Sequence, residues 1–114
     1  MLWRASFEGE LATVNVLIAA GADVDLPYTE KGTTPLYMAA QEGFTKVCQS
    51  LIAAGADLNK GHIEDDSPPL LNAAASDYIG PVHYLLLAGA EVNKARSDDG
   101  CTAVYMAAQE VGGA

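Results

Sequence analysis

From Thr45 to Gly55 the apolar side chains Val47, Cys48, Leu51 and Ile52 fall at i, i+1, i+4 and i+5, with Lys46, Gln49 and Ser50 among them. That spacing puts the four along one side of a helix. Gly55 closes the run as a residue free to take the left-handed cap conformation. Just upstream, Thr34 and Pro35 mark the start of a shorter helix over 35–42. The hydroxyl can accept from an orphan amide, and the proline is preset for a first turn where its missing N–H costs nothing. Gly43 breaks that helix, so residues 35–54 predict two short antiparallel helices. The segment GADVDLPYTEKGTT at 21–34 carries Gly, Asp, Pro and Thr without helical periodicity and predicts an extended turn or hairpin.

The same plan recurs every 34 residues. Gly21, Gly55 and Gly89 open GADVD, GADLN and GAEVN, and LIAAGAD occurs at 17–23 and again at 51–57. YMAAQE stands at 37–42 and at 105–110, two periods apart, and Ala5, Ala39, Ala73 and Ala107 keep the same phase. The chain therefore predicts a single array over 1–114, an all-α repeat solenoid of stacked antiparallel helix pairs joined by extended β-hairpin-like fingers. Its approximate units are 1–30, 31–64, 65–98 and 99–114. The first begins directly with a helix and lacks a finger, and the last lacks a second helix. Stacked units bury their apolar faces only against neighbours. Val104 and Met106 lie on the unpaired last helix, which predicts neighbouring repeats of a longer chain, or a second molecule, at the C-terminal end.

Composition narrows the setting. Half the residues are apolar and 18% are charged, which suits a folded domain rather than a disordered chain. No apolar run approaches the roughly 20 residues of a membrane span, and no signal-peptide pattern opens the chain. Cytoplasm is the expected location, with the nucleus as the alternative. Cys48 and Cys101 occupy non-equivalent repeat positions and form neither a disulfide framework nor a metal spacing. Fifteen acids against six bases give a net charge of -9, which opposes nucleic acid and anionic membranes, since both recruit cationic surfaces. A basic or neutral protein partner fits this balance better.

A period of 34 also suits tetratricopeptide repeats, but those are nearly all helix, whereas roughly 13 residues per unit here are non-helical by pattern. TPLYMAA, the break at Gly43 and LIAAGADLN instead resemble the ankyrin repeat, whose pattern runs T-P-L-H-x-A-A, G, L-L, G-A-D-V-N. The resemblance covers nearly the whole chain, at several fixed offsets in three units together. Departures are specific. Each linker carries one residue more than the family's usual 33-residue period, which predicts a longer finger. The motif histidine is replaced by Tyr37, Leu71 and Tyr105, so its bonding to the turn does not carry over. In unit three Pro68 stands at the capping position, with Ser67 a substitute one residue earlier; Asp77 replaces the break glycine; and Pro81 falls in the first turn of the second helix. Unit three is expected to be the least regular.

Chemistry is sparse. His62 and His83 lie 21 residues apart with no matching nucleophile. No serine stands in a G-x-S-x-G setting and no glycine-rich phosphate loop occurs. Glu64-Asp65-Asp66 and Asp98-Asp99 lack the alternating spacing of a calcium loop, so the expectation is no enzyme, no metal and no cofactor. Cys48 aligns with Val14 and Val82 and reads as core. Trp3 reads as a cover for the N-terminal end of the stack, and Asp23, Asp57 and Glu91 read as structural acids of the recurring turn.

The resemblance implies a protein–protein interaction scaffold whose partner lies on a concave face made by finger tips and first helices. Carried over position by position, that face holds Glu30, Lys31, Thr33, Tyr37, Gln41, Glu42, Glu64, Asp65, Ser76, Asp98, Asp99, Cys101, Tyr105 and Gln109, with Glu8 on the first unit. Its acidity suits a basic partner and equally serves solubility. The alternative reading is a targeting or regulatory module of a larger enzyme. Some ankyrin arrays are also substrates of asparaginyl hydroxylases at the Asn of the turn, eight residues after a Leu. Asn59 after Leu51 and Asn93 after Leu85 fit that pattern, and Asp25 replaces the amide in unit one.

Overall fold

In the computed structural model of the chain, residues 1–27, 32–60, 68–76 and 78–90 are described. They form six α-helices: α1 (Leu2–Glu8), α2 (Leu11–Ala19), α3 (Pro35–Glu42), α4 (Thr45–Ala53), α5 (Pro69–Ala75) and α6 (Ile79–Leu87). α3 has the predicted bounds, and α4 starts at the predicted Thr45 and ends at Ala53, two residues before the predicted stop at Gly55. Among the described residues no strand occurs. Residues 28–31, 61–67, 77 and 91–114 lie outside them, and with these go the finger tips and the whole of unit four.

Local chemistry explains the helix ends. Thr34 Oγ1 accepts from the Tyr37 N–H at 3.2 Å, with Pro35 in the first turn of α3. In unit three Pro68 takes the capping position and offers no side-chain cap, and α5 has 7 residues where α3 has 8. Pro81 sits buried in the first turn of α6, as its position predicts. Gly43 is glycine for two reasons. Its φ is 78°, and a Cβ there would come within 2.8 Å of the Tyr78 ring of the next unit. Phe44 covers Gly9 in the same way, one unit earlier.

The helices stack in two layers, α1 on α3 on α5 and α2 on α4 on α6, and each pair packs internally. Extents of 43 × 25 × 23 Å follow from this one-dimensional growth. Leu2, Leu36 and Leu70 recur in the core, as do Ala5, Ala39 and Ala73, whose small side chains let successive first helices approach closely. Gly80 serves the same end between second helices, since a Cβ on it would collide with Thr45 of α4. Cys48 is fully buried, and desolvation pushes its thiol from an ordinary 9.0 up to about 12. It is a core residue, as its alignment with two valines predicts.

Burial at equivalent positions reveals the direction of stacking. Leu51 and Leu85 are wholly buried while Leu17 is half-buried, so this position faces the preceding unit, which unit one lacks. The neighbouring position runs the other way: Val14 and Cys48 are wholly buried and Val82 is half-buried, so it faces the following unit. Leu86 follows the second trend, being exposed where Ile18 and Ile52 are half-buried.

The turns after α2 and α4 hold themselves and each other. Asp23 Oδ1 accepts from the Asp25 N–H and Asp57 Oδ1 from the Asn59 N–H, each at 3.0 Å. Between units, Asp25 Oδ1 accepts from the Asp57 N–H at 2.8 Å, and Lys60 Nζ donates to the Asp25 carbonyl at 3.3 Å. The two described turn acids are therefore structural, and Glu91 lies outside the described residues.

Candidate functional site

Each first helix uses one side for stacking and leaves another beside it open. The open positions are Arg4, Phe7 and Glu8 on α1, Gln41 and Glu42 on α3, and Asn72, Ala75 and Ser76 at α5. They repeat with the array and so form a row across it. Met38 is the exception within the row, being only 7% exposed.

Polar side chains in the middle of the row are tied together. Asn72 Nδ2 donates to Gln41 Oε1 at 3.0 Å across units two and three, and Gln41 Nε2 donates to Glu42 Oε2 at 3.3 Å. This chain holds the half-buried Gln41 and Glu42 in fixed orientations, which lowers the ordering a partner would impose. At the α1 end, Arg4 Nε donates to Glu8 Oε1 at 2.7 Å, an exposed i, i+4 pair. The carboxylate raises the guanidinium pKa, chiefly through that hydrogen bond. An exposed pair of this kind orders side chains more than it stabilises the fold.

Trp3 and Phe7 lie on the same helix with ring centroids 5.5 Å apart and planes 16° from parallel. Trp3 Nε1 donates to Thr33 Oγ1 at 2.9 Å, which ties the indole of unit one to the start of unit two. Trp3 thus braces two units. An open cleft of about 650 Å³ is lined by Met1, Trp3, Arg4, Phe7 and Glu8.

Of the residues projected onto the partner face, Glu8, Gln41, Glu42 and Ser76 stand on this row. Thr33 and Tyr37 do not offer the surface expected of them. Thr33 is 2% exposed because its hydroxyl receives the Trp3 indole, and Tyr37 is 6% exposed in the core of α3. Both support the face from beneath. Glu30, Lys31, Glu64, Asp65, Asp98, Asp99, Cys101, Tyr105, Gln109 and Asn93 lie outside the described residues. Asn59 is half-buried within the turn, its N–H held by Asp57. The projection missed Phe7 and Asn72. The signal was present for Phe7, which shares its repeat position with Gln41 and is 39% exposed. Among the described residues no group of three His, Cys, Asp or Glu side chains is placed to hold a metal ion. No described helix is long and apolar enough to cross a membrane.

Comparison with known proteins is consistent with this geometry. The family model of ankyrin repeats, in three copies, matches residues 2–96. No curated protein matches the chain significantly.

Proposed function

We propose that this chain, which belongs to the ankyrin-repeat family, holds a protein or peptide partner along the row of first-helix positions running from Phe7 and Glu8 through Gln41 and Glu42 to Asn72 and Ser76. Ankyrin repeats generally mediate protein–protein interaction and are typically non-enzymatic; the face and the partner's character are the further step. The observation that carries it is the Asn72–Gln41–Glu42 hydrogen-bond chain, which pre-orients polar groups on a side of the helices that stacking leaves open. Two carboxylates, Glu8 and Glu42, stand on this row against one guanidinium, and the whole chain carries -9. A partner with basic residues meets that potential favourably and associates faster for it. The proposed array spans units 1–30, 31–64, 65–98 and 99–114, with the fingers extending the same face.

Site-specific photo-crosslinking tests the face directly. A benzophenone side chain placed at Gln41 is expected to capture a discrete partner in cells of the source, whereas one at the exposed Gln49 of α4 should not. Equal capture from both positions, or capture from Gln49 alone, would move the binding surface to the second helices and sink the proposal.

A further inference from the structure

The α1 end of the row differs in kind from the rest. Where units two and three carry Gln41 and Ala75, unit one carries Phe7, and where they carry Tyr37 and Leu71, it carries Trp3. Tyr37 and Leu71 are buried, but Trp3 is half-buried and Phe7 is 39% exposed. Burial alone does not explain an aromatic at position 7, because its counterparts serve the same open side with an amide and a methyl group. The two rings are also held: the indole by Thr33 of the next unit, and Phe7 by near-parallel stacking on the indole. A rigid, partly open aromatic pair is the kind of group that dominates binding energy at interfaces.

From this we infer that the cleft bounded by Trp3, Arg4, Phe7 and Glu8 is the anchor pocket of the partner face, and that it takes an aromatic or aliphatic side chain of a peptide segment flanked by basic residues. The inference rests on the reading that the first-helix row is the partner surface. The apolar part of the occupant follows from the cleft floor. An apolar side chain laid on Phe7 and the indole removes exposed ring surface from water, which a polar side chain would not do without losing its own hydration. The basic flanks follow from charge. The Arg4–Glu8 pair is locally neutral, so the excess charge is that of Glu10, whose field reaches Arg4, and of Glu42 one repeat further along the row. A segment with acidic flanks would meet these carboxylates with like charge.

Trp3 is the only tryptophan of the chain, so the pocket contains its own reporter. The probes are three capped peptides: Lys-Leu-Phe-Lys, Glu-Leu-Phe-Glu and Lys-Gly-Ser-Lys. Titrated into the whole chain, the first is expected to change Trp3 emission saturably, with an affinity at least about tenfold above either control. Phe7→Gln, which installs the residue of unit two, is expected to weaken that binding by about tenfold or more, whereas Phe7→Leu should retain most of it. Circular dichroism melts of both variants confirm folding. No saturable change, equal binding of Lys-Gly-Ser-Lys, or unimpaired binding by Phe7→Gln would each overturn the anchor. The benzophenone test at Gln41 is made one repeat away. Discrete capture there in the Phe7→Gln background leaves the partner face standing and removes only the anchor, whereas loss of face selectivity in the wild-type chain removes the face itself.

Discussion

A crossed set of truncations tests the stacking polarity inferred from burial. Leu51→Ala removes three carbons from a side chain that is wholly buried. At about 0.8 kcal/mol per buried methylene, the transfer loss is about 2.4 kcal/mol, and the cavity left behind raises the total to about 3 to 4 kcal/mol. Leu85→Ala should fall in the same range. Leu17 is half-buried, so the transfer loss is about halved and the gap opens to water, giving about 1 kcal/mol. The neighbouring position must show the reverse order: Val14→Ala, from full burial, about 2 kcal/mol, and Val82→Ala, from half-burial, about 1 kcal/mol or less. Urea unfolding followed by circular dichroism measures all five. An array of this size holds only about 5 to 15 kcal/mol in total, so differences of 2 kcal/mol are well resolved. The crossing is what discriminates. If unit one were merely frayed, Leu17→Ala and Val14→Ala would both be mild. That result, or Leu17→Ala as damaging as Leu51→Ala, would refute the assignment of one position to the preceding unit and the other to the following one.

Ser6→Ala is expected to stabilise the chain by about 1 kcal/mol in the same melts. Its hydroxyl is wholly buried without a hydrogen-bond partner among the described residues, and the equivalent positions are Ala40 and Ala74. The Cys48 thiol, raised to about 12, makes folding favour the protonated form. Stability should therefore be intact below about pH 9 and fall as pH rises from there toward 12, more steeply than in Cys48→Val, whose residue matches Val14 and Val82. Asp25→Asn should leave the urea midpoint nearly unchanged, because an amide oxygen can still accept the Asp57 N–H, whereas Asp25→Ala should lower stability by about 1 kcal/mol. Gly43→Ala should cost more in the wild-type chain than in Tyr78→Ala, since the second change removes the ring that the new methyl would strike and leaves only the left-handed φ. A double-mutant cycle with no coupling would show that the ring simply moves aside.

The regular part of the fold was legible because it rests on local signals. Thr34-Pro35, the break at Gly43 and the Val47, Cys48, Leu51, Ile52 stripe each specify an element within a few residues, and period 34 then copies it. The finger tips and unit four fall outside the described residues, so the hairpin reading stays an expectation. What sequence reasoning did not reach were the bonds between units. Trp3 meets Thr33, Gln41 meets Asn72 and Asp25 meets Asp57 at separations of 30, 31 and 32 residues, all short of the period. Aligning units at 34 pairs each residue with its counterpart, whereas these hydrogen bonds run diagonally between non-equivalent positions. The placement of Thr33 follows from this. Thr33, projected as a residue of the exposed face, carries the indole of the preceding unit on its hydroxyl.

The same diagonal logic accounts for the irregularity of unit three better than that unit does by itself. Phe44 of unit two rests on Gly9 of unit one, and Tyr78 of unit three rests on Gly43 of unit two, so each break glycine is half of a contact whose other half lies 35 residues on. Continued once more, the pattern would join residue 77 to residue 112. The sequence places Asp77 and Gly112 there, so the glycine and the aromatic are lost together. Read within unit three alone, Asp77 is a defect at a position that favours glycine. In the sequence, the replacement of the break glycine by Asp77 thus coincides with the replacement of its aromatic counterpart by Gly112. The unit of design in this array is thus the interface between neighbours, and the candidate partner face, braced by Trp3–Thr33 and Asn72–Gln41, is assembled from the same interfaces.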